Sequence, residues 1–151
     1  MALAHSEKLR ICDDLEEIAN SLPARYDRLK CLQIANALVP LMRRSHRYEE
    51  DFVFPAYAAL PHTEASMRRL LAEHIEDECF ADEVTEALLT IGHGAAVDNP
   101  AAVGFMLRGF FELVRRHIAF EREHVLPAIK TTPANRLTNP TEPPAAPCCR
   151  P

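Results

Sequence analysis

The sequence predicts an all-α fold, an up-down-up-down four-helix bundle, from three observations. Apolar residues recur in steps of three and four along four long stretches. Strand-like alternation is hard to find. Ala, Leu, Glu and Arg dominate, while Gly is scarce at 4 and Trp is absent. At 151 residues, with 48% hydrophobic and 26% charged, the chain is long enough to bury one core. Short connections between stretches of similar length favour antiparallel neighbours.

The first helix is expected over residues 3–22, where His5, Leu9, Cys12, Leu15, Ala19 and Leu22 share a face and Pro23 stops the ladder. The second is expected over 25–58. Its stripe runs Leu38, Met42 (with Leu41), His46, Glu50, Val53 and Tyr57. Pro40 should kink it or split off a leading segment, 25–37, and Pro55 should help to finish it. The third, over 63–91, has Thr63 or Ser66 as its cap. Its stripe is Met67, Leu70, His74, Glu78 (or Asp77), Ala81, Val84, Leu88 and Ile91, closed by Gly92-His93-Gly94. The fourth, over 100–130, has Asp98 or Asn99 as cap and Pro100 in its first turn. Its stripe is Val103, Met106, Phe110, Leu113, His117, Glu121, His124 and Ala128. These helices make one domain, residues 1–131. The proline-rich remainder, 132–151, has little to bury and is expected as a mobile tail that carries Cys148 and Cys149.

Composition excludes several function classes. A net charge of -5 argues against broad nucleic-acid binding, which needs a cationic face. No stretch reaches the roughly 18 apolar residues of a membrane span, and the start MALAHSEKLR has no apolar core of a signal peptide. Five irregularly spaced cysteines without a signal suggest reduced thiols and a cytoplasmic protein. No phosphate loop or nucleophile triad is visible.

The chemistry lies in the stripes themselves. Positions i and i+4 share a helix face, so His46 and Glu50, His74 and Glu78, and His117 and Glu121 form three pairs that interrupt apolar stripes in three helices. His5 stands on the corresponding face of the first helix. The second and fourth helices echo one another, HRYEEDFVFP against HIAFEREHVLP, each a histidine, a glutamate four residues on, and then a proline. Lone charges on buried faces cost several kcal/mol, on the order of the penalty for unpaired buried polar groups. A metal centre would compensate them, because imidazole suits iron and zinc and carboxylates suit harder ions. Bundle cores also host two-metal carboxylate sites. The alternative for each pair is an ordinary solvated His–Glu pair. Glu78 stands in the acidic run Glu76-Asp77-Glu78, and His124 reads as an outer partner or a surface residue.

The ordered set resembles the hemerythrin-like (HHE cation-binding) family. The family runs one histidine on helix one, H-x-x-x-E on helix two, one or two histidines on helix three, and H-x-x-x-E or H-x-x-x-x-D on helix four. Here it reads His5; His46 and Glu50; His74; His117 and Glu121. His46-Arg47-Tyr48-Glu49-Glu50 with Phe54-Pro55 is similar to the family's H-x-x-E-E…F-P segment. The stretch LRICDDLEEIANSLP is similar to helix one of bacterial members, which place a histidine seven residues before the cysteine, as His5 precedes Cys12. The resemblance covers residues 3–130. It implies a non-haem di-iron centre in which Glu50 and Glu121 bridge, His5 and His46 serve one iron, and His74 and His117 serve the other. Oxygen-carrying members differ: their third helix has H-x-x-x-H, where this chain has Glu78, and their fourth helix has one more residue between histidine and carboxylate. Glu78, Glu49 and His124 are therefore further candidate ligands. A more oxygen-rich site favours ferric iron and peroxide or redox chemistry over reversible oxygen transport.

Two function classes follow. The first is a di-iron protein that binds, senses or decomposes O2, NO or peroxide, or handles iron. The second is a non-catalytic helical-bundle interaction or regulatory protein in which metal is incidental.

Overall fold

The computed structural model describes residues 1–131, and every regular element in that range is helical. The expected tail, residues 132–151 with Cys148 and Cys149, lies outside the described residues. Four long helices form an up-down-up-down bundle. The first, α1, spans Ala2–Ser21. The second, α2, runs Arg28–Tyr48, passes through a π-helical turn at Glu49–Val53 and ends as Phe54–Ala58. The third, α3, spans Glu64–Gly92. The fourth, α4, runs Pro100–Phe120, passes through a second π-helical turn at Glu121–Val125 and ends as Leu126–Thr131. The α2 helix packs chiefly on α3, and α1 chiefly on α4.

Local chemistry sets the boundaries. Asp27 caps α2, its carboxylate accepting from the backbone N–H groups of Leu29 (2.8 Å) and Lys30 (3.2 Å). The helix therefore starts at Arg28 and not at the expected residue 25. Pro40 does not split off a leading segment, since Arg28–Tyr48 is one helix. The lost backbone hydrogen bond costs about 3 kcal/mol, and burial of Leu38, Leu41 and Met42 around it outweighs that cost at about 1.5–3 kcal/mol per large side chain. The helix ends at Ala58, as expected, three residues after Pro55, having passed through the π turn at Glu49–Val53. Thr63 occupies the cap position of α3, but its hydroxyl donates to the Leu60 carbonyl instead (2.9 Å). Gly94, at φ 85°, turns the chain out of α3 in the left-handed region that glycine tolerates. Asn99 caps α4 through Ala102 N–H (3.0 Å), with Pro100 following it as expected.

The interior has three layers. A large apolar cluster fills one end, from Ile11, Leu15 and Ile18 of α1 to Leu88, Phe110 and Val114. A smaller one, Val53, Phe54, Tyr57, Leu70 and Val125, fills the other. Between them in the order of every helix lies a buried polar layer: His5 and Lys8; Ser45, His46 and Glu49; His74 and Asp77; His117 and Glu121.

Candidate metal centre

Each helix brings part of this polar layer. From α1 come His5 and Lys8, three residues apart and on one face. In α2, Ser45 and His46 occupy the last α-helical turn, and Glu49 opens the π turn. In α3, His74 and Asp77 share the buried face. In α4, His117 ends the α-helical part and Glu121 opens the second π turn. Both central carboxylates are thus first residues of π turns, with their carbonyls accepting from the N–H five residues on, Phe54 for Glu49 and Leu126 for Glu121. Such turns recur at functional sites because they re-aim a side chain without ending the helix.

Three imidazoles pack face to face: His46 on His74 at 3.9 Å between centroids, and His74 on His117 at 5.1 Å. Their outward nitrogens meet carboxylates. His46 Nδ1 lies 3.0 Å from Glu78 Oε1, and His74 Nδ1 lies 2.7 Å from Glu50 Oε1. His117 Nδ1 faces Glu73 Oε2 at 3.4 Å and Asp77 Oδ2 at 3.6 Å. At His46 and His74 the carboxylate can only accept, so it fixes the ring proton on Nδ1 and turns the Nε2 lone pair inward, whereas His117 Nδ1 has no hydrogen-bond partner. The Nε2 atoms of His46, His74 and His117 are all buried with no hydrogen-bond partner. Glu49 Oε2 and Glu121 Oε1 are in the same state, and Glu49 Oε2 stands 3.2 Å from His74 Nε2. Five lone-pair atoms with no hydrogen to share would each forfeit about 1–3 kcal/mol in a finished core. Cations satisfy such atoms, and imidazole nitrogens with carboxylate oxygens are the donor set of a divalent or trivalent transition metal. In two groups, His46, Glu49 and His74, and His5, Glu49 and Glu121, the potential ligand atoms lie within 4.8 Å of one another. Glu49 belongs to both.

Electrostatics separate His46 and His117 from His74. Burial, aided by the charges of His74 and Lys8, pushes His46 down to about 2 and His117 down to about 3, so both imidazoles stay neutral. Burial also lowers His74, but the facing carboxylates of Glu49 and Glu50 outweigh it and raise this ring. Burial raises Glu49, yet His74, Lys8 and Ser45 together hold its carboxyl well below the usual range. Asp77 is pushed up to about 7 by burial, against the lowering influence of His74 and Lys8.

The sequence-derived residues divide on inspection. His5, His46, His74, His117 and Glu121 all meet in the buried layer. Glu50 does not: its side chain is 43% exposed and it reaches His74 from the rim, while Glu49 holds the interior position. Glu78 stands likewise outside His46, at 31% exposure, with Arg43 behind it (3.5 Å). His124 is exposed and touches the Phe120 ring. Sequence reasoning gave no role to Lys8 or Ser45, and it named Asp77 only as an alternative on the α3 stripe. The signal for Glu49 was present in the echo between α2 and α4. Counted back from the proline, EEDFVFP and EREHVLP align Glu49 with Glu121, six residues before Pro55 and Pro127 respectively.

A groove of about 630 Å³ opens over this layer, lined by Arg43, Arg44, Arg47, His46 and Glu50. No helix among the described residues is long and apolar enough to cross a membrane. The family model for the hemerythrin HHE cation binding domain matches residues 1–129. Neither a curated protein nor a solved structure matches the chain.

Proposed function

Because the chain belongs to the hemerythrin HHE cation-binding domain family, we propose that its polar layer holds non-haem iron in up to two positions that share Glu49. The protein would use that centre on O2, NO or peroxide. The ligands in this reading are His46, His74 and His117 with Glu49, and His5 with Glu121. Glu50 and Glu78 orient His74 and His46 from the rim, where such partners raise ligand basicity. The observation that carries the reading is the set of five buried, unpartnered lone-pair atoms converging from three helices.

Bound iron supplies redox change and an electrophilic position for a diatomic or peroxide ligand. The chain's own part is to keep His46 and His117 neutral and aimed and to shield the layer from bulk water between two apolar clusters. A bundle with an interaction role and incidental metal would be expected to satisfy its interior histidines within the protein, and the orphaned Nε2 atoms weigh against it. A cytoplasmic setting belongs to the same proposal, supported by Cys12, Cys31 and Cys79 as free thiols. The domain boundary near residue 131 is proposed too, on the composition of the sequence beyond it.

The test is metal content per chain with an ultraviolet–visible spectrum, on protein grown with iron. Bound iron with a ligand-to-metal absorption band that peroxide or O2 alters supports the proposal. No iron, or a single zinc without spectral response, refutes it.

A further inference from the structure

Lys8 is a lysine with 2% of its surface exposed, in the same layer as the candidate ligands. Its Nζ donates to Glu49 Oε1 at 3.0 Å, and Ser45 Oγ donates to the same oxygen at 2.9 Å. Fully buried lysines are rare because desolvating an ammonium is costly, and one persists only where a fixed anion faces it. The next residues along the same face, Ile11, Cys12 and Leu15, are apolar, so the packing of α1 beyond His5 does not demand a lysine here.

The two candidate cation groups differ sharply in how their atoms are already occupied. Around His46, His74 and His117 the inward nitrogens have no partner, and neither has Glu49 Oε2. On the α1 side the atoms are taken. Glu49 Oε1 holds Lys8 and Ser45, and Glu121 Oε2 lies 2.9 Å from His5 Nε2. Arg122 Nε donates to His5 Nδ1 (3.3 Å), which leaves the His5 ring proton on Nε2, pointing at Glu121 and not available as a lone pair.

We propose that Lys8 is a built-in cation that stands in for a metal charge on the α1 side of Glu49, so that the two metal positions load in sequence and unequally. The first ion enters the His46–His74–His117 side, where Lys8 holds Glu49 in place with Oε2 free. A second ion must approach a fixed ammonium and displace it from Glu49. Lys8 is thus a positioning residue for the first ion and an obstacle to the second. This rests on the metal-binding reading above and specifies how that site fills.

The experiment is anaerobic titration of the metal-free full chain with ferrous ion, followed by calorimetry, beside thermal melts of the metal-free protein. The wild type should show one tight ion and a second at least about tenfold weaker, from like-charge repulsion across a few ångströms of low-dielectric interior. Lys8→Met should narrow that gap by at least about tenfold and lower the melting temperature of the metal-free form, because Glu49 loses its counter-charge. Lys8→Gln keeps a donor for Glu49 without the charge, so it should fold and show the same narrowed gap even if Lys8→Met does not fold. Two ions bound equally by the wild type, or a stepwise gap unchanged in Lys8→Gln, would overturn the assignment of Lys8 while leaving the metal centre standing. No ferrous ion bound by the wild type or by Lys8→Gln would overturn the metal reading and this one with it.

Discussion

Glu49 and Glu50 are neighbours in sequence, and replacing each by glutamine separates the buried carboxylate from the rim carboxylate. Glu49 contributes to both candidate cation groups and is the anion opposite Lys8. Glu49→Gln leaves the Lys8 ammonium buried against a neutral amide. Breaking a buried pair in this way costs about 3–5 kcal/mol. At about 3 °C per kcal/mol for a domain of this size, the metal-free melting temperature should fall by roughly 10–15 °C. The variant should also bind substantially less iron, since a carboxylate shared by both positions is gone. Glu50→Gln should behave differently. Its carboxylate is 43% exposed and touches only the outer nitrogen of His74 among the groups of the layer. The stability change should stay within about 1 kcal/mol, the range for solvent-screened pairs. Metal affinity should drop by about tenfold to a hundredfold, as for an outer partner of a ligating histidine, with stoichiometry kept. Thermal melts of metal-free protein and iron per chain by elemental analysis read both effects. Should Glu50→Gln abolish iron binding while Glu49→Gln retains the full complement, the placement of Glu49 at the centre is refuted, and the i+4 carboxylate expected from the sequence is the ligand after all.

Other outcomes follow from the same layer. His117→Ala should lose at least about half of the iron, because the ring faces both Glu121 and the stacked His74; elemental analysis showing an undiminished content would remove His117 from the ligand set. Metal-free protein should lose stability on acidification. His46 and His117, held far below 6.5, contribute stability that is present above that value and lost as pH falls toward 3, two protons' worth; Asp77, raised to about 7, opposes them with one, since its contribution is full below 3.8 and lost as pH rises through 7. The net is about 1.4 kcal/mol per pH unit between roughly pH 6 and 4, and denaturant melts that stay flat across that window would contradict the buried neutral imidazoles. Native alkylation mapped by mass spectrometry should modify exposed Cys79 and spare Cys12, whose thiol burial pushes up to about 12; early modification of Cys12 would mean that α1 opens readily.

Much of this architecture was legible in the sequence because the stripes are long and regular. Leu38, His46, Val53 and Tyr57 on α2, and Leu70, His74, Ala81 and Val84 on α3, are buried as their spacing requires. Asn99 and Pro100 announce α4 by local chemistry alone. What stayed hidden has a geometric cause. In an α-helix both i+3 and i+4 share a face with residue i, so His46 points equally to Glu49 and to Glu50. The π turn that begins at Glu49 decides between them, and a three-four periodicity contains no such turn. His74 is followed by the same ambiguity, Asp77 at i+3 and Glu78 at i+4, and there too the i+3 residue is the buried one. Lys8 was invisible for another reason. A lysine near a helix start reads as solvated, and only the partner 41 positions away in sequence gives it a reason to be inside.

The three-layered interior ties stability to occupancy. The large apolar cluster and the small one would pack more favourably as one continuous core, yet a slab of histidines and carboxylates divides them. Part of that slab is paired within the protein: Lys8 and Ser45 donate to one oxygen of Glu49, and His5 meets one oxygen of Glu121. These pairs bridge α1 to α2 and α1 to α4, so they hold the helices in register before any ion arrives. The rest, centred on His46, His74 and His117, is left wanting a cation, and the unsatisfied atoms come from α2, α3 and α4. An ion that binds there links three helices at once and converts an energetic deficit into cross-links. The small apolar cluster depends most on that link, because it is built largely from the segments beyond the two π turns and from the start of α3. Binding should therefore tighten the Phe54–Ala58 and Leu126–Thr131 ends more than the Ile11–Ile18 end, and amide exchange compared between metal-free and loaded protein would show the difference as protection gained beyond Glu49 and Glu121. Equal gains at both ends would mean that the large cluster, and not the layer, limits the opening of the bundle.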